Sequence, residues 1–254
     1  MRQVAIDCFP ESAWKYGEGW AVVVVDVIRA TTSAVTIAAT GRRCFTVESL
    51  KSAYALAARL ECPLLVGELA GEMPAGFDMN NSPVELLALT DLERTAILLS
   101  TSGTRLIHEA RQADARVLTC LRNWRSTAHW LAGRYDRIAV IGAGSRGEFR
   151  EEDQLCCAWV GEALMEAGYA ADKPTAAVVE QWRGAPVHAC AEGNSAAYLR
   201  RSGQEKDLAF ILAHVNDLQM AVVMRGNEVV GLPMHDSMPM CVASAGAEAL
   251  QFGD

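Results

Sequence analysis

A carboxylate, a guanidinium and two hydroxyls crowd one short stretch of the chain, at Asp26, Arg29, Thr31 and Thr32. An apolar run, AVVVV at 21–25, leads straight into Asp26, and a helical pattern, SAVTIAAT, begins at Ser33. An unbroken Val run reads as a strand buried on both faces, so Asp26 falls at its carboxyl end, where open α/β sheets bind ligands. Thr31 and Thr32 then open a helix, whose first backbone N–H groups lack partners and attract anions. A carboxylate, a guanidinium fork and hydroxyl donors at this spacing are the parts that phosphate chemistry uses. A plain core strand followed by an N-capped helix accounts for the same residues without chemistry.

Other stretches repeat that character. GELAGEMPAGFDMNNSP at 67–83 is a loop by composition, yet it carries Glu68, Glu72 and Asp78. Ser102, Gly103 and Thr104 sit in a Ser/Thr/Gly turn between a strand, TAILLS, and a helix that begins near Arg105. That is an anion-binding arrangement, or equally a βα turn with a Thr cap. Asn123 opens another helix. Gly144 and Arg146 lie in GAGSRG, just before Glu151, Glu152 and Asp153. GAGSRG is formally GxGxxG, but a dinucleotide site requires a second strand about 20 residues on with an acidic end. A long helix follows instead, so the segment reads as a glycine-rich turn that lets backbone approach a ligand. The acidic triplet either complements the helix dipole or ligates metal.

The oxygen donors favour Mg²⁺, which shares its shell between a few carboxylates, water and phosphate. Zinc would want His or Cys at close spacing, and His108, His129, His188, His214 and His235 are scattered. There is no GxSxG for a serine hydrolase. Haloacid-dehalogenase phosphatases place a second Asp two positions after the first; Ile28 stands there, so the chain departs from that signature. Phosphate-monoester hydrolysis is very slow without catalysis, so a metal, Arg and helix-terminal N–H groups would all be needed. Asp26 could attack phosphorus or hold the metal, and the sequence leaves both open.

These residues need a scaffold. Strands are expected at 3–7, 21–25, 43–47, 63–66, 95–100, 117–120 and 137–141, and helices at 33–40, 48–60, 124–131, 151–167, 172–183, 194–201 and 205–214. Ser82, Pro83 and Glu85 form a helix start. Apolar runs at 220–224 and 228–232 around Arg225-Gly226-Asn227 read as a hairpin. The expected fold is a three-layer α/β/α sandwich with a mixed, mostly parallel sheet and a helical C-terminal part ending in a short β-hairpin. Length allows a single domain over residues 1–254.

Net charge is −8 and no long basic run exists, which disfavours a nucleic-acid partner. No apolar run reaches about 18 residues, so no membrane span is expected. Eight cysteines form no CxxC pair and the N-terminus lacks a signal-peptide core, pointing to a reducing cytoplasm. A homo-oligomer is left open.

DVIRATT at 26–32, Gly67-Glu68, GFDMNNSPVE at 76–85, TSGT at 101–104, Asn123 and GAGSRGEFREED at 142–153 together resemble the 2-phosphosulfolactate phosphatase family, over roughly residues 1–232. The resemblance implies a Mg²⁺-dependent phosphatase with an α/β fold of its own. The implied substrate is a small anionic phosphorylated hydroxy acid, 2-phospho-3-sulfolactate, converted to 3-sulfolactate on the way to coenzyme M in archaea. Read with the motifs, Asp26 and Arg29 are the expected catalytic residues. Thr31, Thr32, Ser102, Gly103, Thr104, Asn123, Gly144 and Arg146 are expected to bind phosphate or substrate, and Asp26, Glu68, Glu152 and Asp153 to hold the metal. Three positions depart from the family pattern: Leu69 stands for an Arg, Asn80 for a Gly and Ser102 for an Asn. Leu cannot replace a bidentate Arg contact, so the substrate preference could shift toward another 2-phospho-hydroxy acid. The competing class is a non-catalytic binder of phospho-ligands on the same fold.

Overall fold

A computed structural model describes residues 1–145 and 147–234. Its strands are β1 (Gln3–Cys8), β2 (Ala21–Val25), β3 (Cys44–Thr46), β4 (Leu64–Gly67), β5 (Ala96–Leu99), β6 (Ala115–Thr119), β7 (Arg137–Gly142), β8 (Ala170–Ala171), β9 (Met220–Arg225) and β10 (Glu228–Pro233). Its α-helices are α1 (Ala30–Ala39), α2 (Leu50–Ala57), α3 (Pro83–Ala88), α4 (Gly103–Glu109), α5 (Trp124–Leu131), α6 (Glu151–Glu166), α7 (Lys173–Trp182), α8 (Asn194–Arg201) and α9 (Glu205–Ala213). The fold is the expected α/β class, with helices layered on a mixed, mostly parallel sheet and a hairpin formed by β9 and β10.

Local chemistry explains most elements. All five residues of β2, one Ala and four Val, are fully buried, as an apolar strand between two helical layers should be. Ser82 caps α3 by accepting from the Glu85 N–H at 3.2 Å, and Asp172 caps α7 by accepting from Thr175 at 2.9 Å. Helix α1 starts three residues earlier than its apolar pattern suggested. The Thr31 and Thr32 hydroxyls donate back to the carbonyls of Asp26 and Val27, both at 2.7 Å, and wind the first turn ahead of Ser33. Strand β8 is two residues long and gave no pattern to read.

Long-range pairing gives the sheet its order, β4-β5-β3-β10-β9-β6-β2-β7-β1-β8. The C-terminal hairpin is not an appendage. It is inserted between β3 and β6 by antiparallel pairing on both sides and joins two parallel blocks. Because three antiparallel junctions separate them, the blocks run in opposite directions. In a flat sheet their carboxyl ends would lie at opposite edges. Instead the sheet curves round α1, as accumulated strand twist allows. Leu64 of β4, Cys44 of β3, Leu98 of β5, Val222 of β9 and Val24 of β2 share one core cluster with Ala34, Val35 and Ile37 of α1. Helix α1 is accordingly buried along nearly its whole length. Helices α5 and α6 cover the outer face of β2, β6 and β7, and α2 covers that of β5.

Candidate active site

The curvature creates a cavity of about 440 Å³ where the carboxyl ends of the two blocks meet. Asp26 and Gly144 reach it from β2 and β7, Glu68 from β4, and Thr101 and Ser102 from the turn after β5. Arg29, Asn81, Arg150 and Asp153 line it as well. Helix α8 crosses one side, presenting Asn194, Ser195, Tyr198 and Arg201.

Asp26 and Asp153 are the buried carboxylates on this wall, 8% and 4% exposed. Asp26 Oδ1 accepts from the Ala30 N–H at 3.0 Å, while Oδ2 accepts nothing among the described residues. Both oxygens of Asp153 are held by backbone, Oδ1 by the Val27 N–H at 2.8 Å and Oδ2 by that of Gly144 at 3.2 Å. Burial, with added repulsion from Glu68 and Glu152, pushes Asp26 up to about 7, against the opposing pull of the Ala30 N–H and Arg29. Burial and the charges of Asp26 and Glu152 drive Asp153 well above the usual carboxylate range. Like charges are thus gathered in a low-dielectric pocket, a pattern common at functional sites.

Gly103 shows how tightly this wall is packed. A Cβ there would lie 2.5 Å from Asp26 Oδ2 and 2.6 Å from the Ala30 Cβ. Gly103→Ala is expected to lower catalytic turnover about 100-fold by displacing the carboxylate, and to cost about 1–3 kcal/mol of stability. Steady-state kinetics and a thermal melt check both; wild-type kinetics in the variant would show that Asp26 has room to spare.

Arg29 lines the cavity but is clamped from behind. Its Nη1 donates to Asp207 Oδ2 at 2.5 Å and to Gln204, and its Nη2 to Asn80 at 3.1 Å. Both members of the Arg29–Asp207 pair have side chains 4% exposed. Asp207 also accepts from the Ser82 hydroxyl at 2.6 Å, which ties the long loop to α9. Asn80, one of the departures from the family pattern, therefore has a local partner. The side chain of Leu69, another departure, packs against the apolar cluster of Val47, Phe77 and Leu99.

Several expected site residues serve the backbone instead. Thr31 and Thr32 are buried and bonded to the Asp26 and Val27 carbonyls. Thr104 closes the β5–α4 turn, donating to the Ser100 carbonyl at 2.8 Å and accepting from its N–H at 2.9 Å. Asn123 accepts from the Cys120 N–H at 3.0 Å and donates to the Leu118 carbonyl at 3.2 Å. None of these four lines the cavity, because in each the short polar side chain satisfies the nearest buried peptide group. Glu68 does line it, but accepts from Gly71 N–H and from the N–H and hydroxyl of Thr101 at 2.7–2.9 Å, bracing the loop. Glu152, 1% exposed, does not line the cavity, and its Oε2, beside Gly193, has no partner among the described residues. Asp78 pairs with Arg94 at 3.2 Å and Arg105 with Glu11 at 2.8 Å, both away from the site. Arg146 and His235 lie outside the described residues.

The cavity residues that sequence reasoning missed are Asn81, Glu148, Arg150 and the face of α8. Asn81 lies in the Asn-rich loop, and Glu148 and Arg150 lie inside GAGSRGEFREED; the face of α8 had no local signal. Asn81 is 2% exposed and its Oδ1 has no partner among the described residues.

Comparison with known proteins places the chain in a family. Residues 9–226 match the family described as 2-phosphosulpholactate phosphatase. A probable 2-phosphosulfolactate phosphatase of Deinococcus radiodurans is 30% identical over 234 residues, covering 89% of this chain and 95% of that protein. One from Thermus thermophilus is 31% identical over 231 residues, covering 88% and 95%. A similarly named protein of Pseudothermotoga lettingae is 37% identical over 134 residues, and there the match spans 53% of this chain and 58% of the relative. With 218 consecutive positions of its 254 residues inside the family match, the chain belongs to the 2-phosphosulfolactate phosphatase family.

Proposed function

We propose that the cavity hydrolyses a small phosphomonoester, with Mg²⁺ as cofactor and a 2-phospho-hydroxy acid of the 2-phospho-3-sulfolactate type as substrate. The observation that carries this reading is the pair of buried carboxylates, Asp26 and Asp153, set beside Arg29 in one polar cavity. Their mutual repulsion is what a divalent cation would relieve. Among the described residues no three His, Cys, Asp or Glu side chains form a closed cation cage. Mg²⁺ takes one or two carboxylates and leaves the rest of its shell to water and phosphate. The donors present therefore fit, with Asp26 and Asp153 as the residues that would hold it. Bound there, Mg²⁺ would neutralise charge on the phosphoryl oxygens.

The chain's own groups supply the remainder. Asp26 Oδ2 is free to attack phosphorus, with Oδ1 oriented by the Ala30 N–H. The new O–P bond forms as the ester P–O bond breaks; the electron pair leaves on the alcohol oxygen, which takes a proton from solvent water. Water then attacks the acyl phosphate, releasing inorganic phosphate and restoring the carboxylate. Arg29, held rigid by Asp207, presents its positive charge to the phosphoryl group without reorganising. The test is phosphate release from phosphosulfolactate, phospholactate and phosphoglycerate, with and without EDTA. Release that EDTA abolishes and Mg²⁺ restores is expected; metal-independent inactivity on all three sinks the reading. A protein that binds the phospho-acid in calorimetry and returns it intact would be a binder.

The acid cluster also sets a pH dependence. A carboxyl whose folded pKa is raised from 3.8 to about 7 stays protonated in the folded state while the unfolded chain has released its proton. Stability from Asp26 is therefore present below about pH 4 and is lost as pH rises toward 7, a change of roughly 2–4 kcal/mol. Metal-free protein should melt at a higher temperature at pH 5.5 than at pH 8. Added Mg²⁺ should raise the melting temperature more at pH 8, where no proton has to be displaced. Melting curves in EDTA and in Mg²⁺ check both signs.

A further inference from the structure

Among the described residues three cations line the cavity, and two are already engaged. Arg29 is paired with Asp207 at 2.5 Å. Arg150 donates to Glu148 at 3.2 Å and to the Ser145 carbonyl at 3.4 Å, with only 12% of its side chain exposed. Arg201 has no ion pair or hydrogen bond among the described residues, although the wall around it carries Asp26, Glu68, Glu148 and Asp153. Its placement follows from helix periodicity. Asn194, Tyr198 and Arg201 are spaced by four and three residues, so they share one stripe of α8, and with Ser195 and Leu199 beside it that stripe borders the cavity. Arg200, the adjacent cation, lies off the stripe and does not line the cavity. Tyr198 pins the stripe in place by donating to the Gly71 carbonyl.

A phosphoryl group held beside Asp26 and Arg29 leaves the other end of a 2-phospho-hydroxy acid, with its carboxylate or sulfonate, to meet another part of the wall. A cation without a protein carboxylate partner can meet such a group with its full charge. Resting on the phosphatase reading above, we propose that Arg201 is the specificity-determining residue that receives this second anionic group. Its guanidinium selects phosphomonoesters bearing a carboxylate or sulfonate arm over those without one.

The experiment compares kcat/KM for phosphosulfolactate, phospholactate and phenyl phosphate in wild type, Arg201→Ala, Arg201→Lys and Arg200→Ala. Loss of a charge-assisted contact is expected to lower the preference for the anionic-arm substrates over phenyl phosphate by about 10- to 100-fold in Arg201→Ala, mainly through KM. Arg201→Lys should recover part of it, and Arg200→Ala, with the same change in net charge, should keep the wild-type preference. A drop for phosphosulfolactate alone assigns Arg201 to the sulfonate, and a drop for both anionic substrates assigns it to the carboxylate. A preference unchanged within about twofold, or lowered equally by Arg200→Ala, overturns the proposal. If wild type hydrolyses none of these esters, the phosphatase reading fails by itself. Calorimetry with 3-sulfolactate then decides Arg201: weaker binding by Arg201→Ala supports the anion site, and equal binding overturns it.

Discussion

Asp26→Asn is expected to lower kcat/KM for phosphate release at least about 1,000-fold while leaving the fold intact. The substitution is isosteric, and the amide oxygen can still accept from the Ala30 N–H that orients Oδ1. What is lost is the negative charge on Oδ2, the oxygen that no group among the described residues claims. Without it there is no nucleophile for phosphorus and half of the carboxylate pair that would hold Mg²⁺. The change has a second, opposite effect. Asp26 is 8% exposed and burial pushes its pKa up to about 7, so at pH 8 its ionised form is a cost to the folded state. Removing that cost should raise the melting temperature in EDTA by about 5 °C or more and abolish most of the Mg²⁺-induced increase. Activity lost while stability is gained separates a chemical role from a structural one. A variant that keeps more than about a tenth of wild-type turnover would show that Asp26 neither attacks nor holds the cation.

Asp207→Ala should be the most damaging change outside the cavity itself. It strands the Arg29 guanidinium, 5% exposed, with its one carboxylate partner removed. Breaking one side of a buried pair costs about 3–5 kcal/mol, since a charge remains buried without compensation. It also releases the Ser82 hydroxyl, bonded at 2.6 Å, and with it the attachment of the 67–82 loop. For a chain of this length the melting temperature should fall by roughly 10 °C. Activity should fall about 100-fold or more at temperatures where the variant is folded, because Arg29 loses its fixed orientation. Asp207→Asn, which keeps an acceptor but not the charge, should lie between. Thermal melts with kinetics at 15 °C check this. A double-mutant cycle with Arg29→Ala should give strong coupling, because once Arg29 is gone Asp207 has less to hold. Equal melting temperatures for wild type and Asp207→Ala would mean that the pair is open to solvent.

Much of the local architecture was legible in the chain. The Val-rich strand β2, the Ser82-Pro83-Glu85 helix start, α5, α8 and the β9–β10 hairpin lie where hydrophobic period and capping residues placed them, because each is decided by neighbours a few residues away. The polar motifs were legible as turns, and less so as sites. Asp26, Arg29, Glu68, Ser102, Gly144 and Asp153 reached the cavity from four such segments. Thr31, Thr32, Thr104 and Asn123 look the same in sequence but spend their side chains on buried peptide groups. A hydroxyl or amide beside a helix start can serve either use, and only the position of the cavity distinguishes them.

What the amino-acid order determined alone was a set of buried strands with polar carboxyl ends and glycine turns, together with the motif series that marks the family. Only the tertiary structure decided that the hairpin enters the middle of the sheet rather than its edge, since pairing of β10 with β3 and β9 with β6 joins residues far apart in sequence. The reversed blocks and the curvature around α1 follow from that insertion, and they bring Glu68 and Thr101 opposite Asp26. The same long-range packing lays α8 along the opening and sets α9 against it, placing Asp207 behind Arg29 and Arg201 on the rim. No local pattern carries that information, because those helices read as ordinary amphipathic segments until the surface they cover exists.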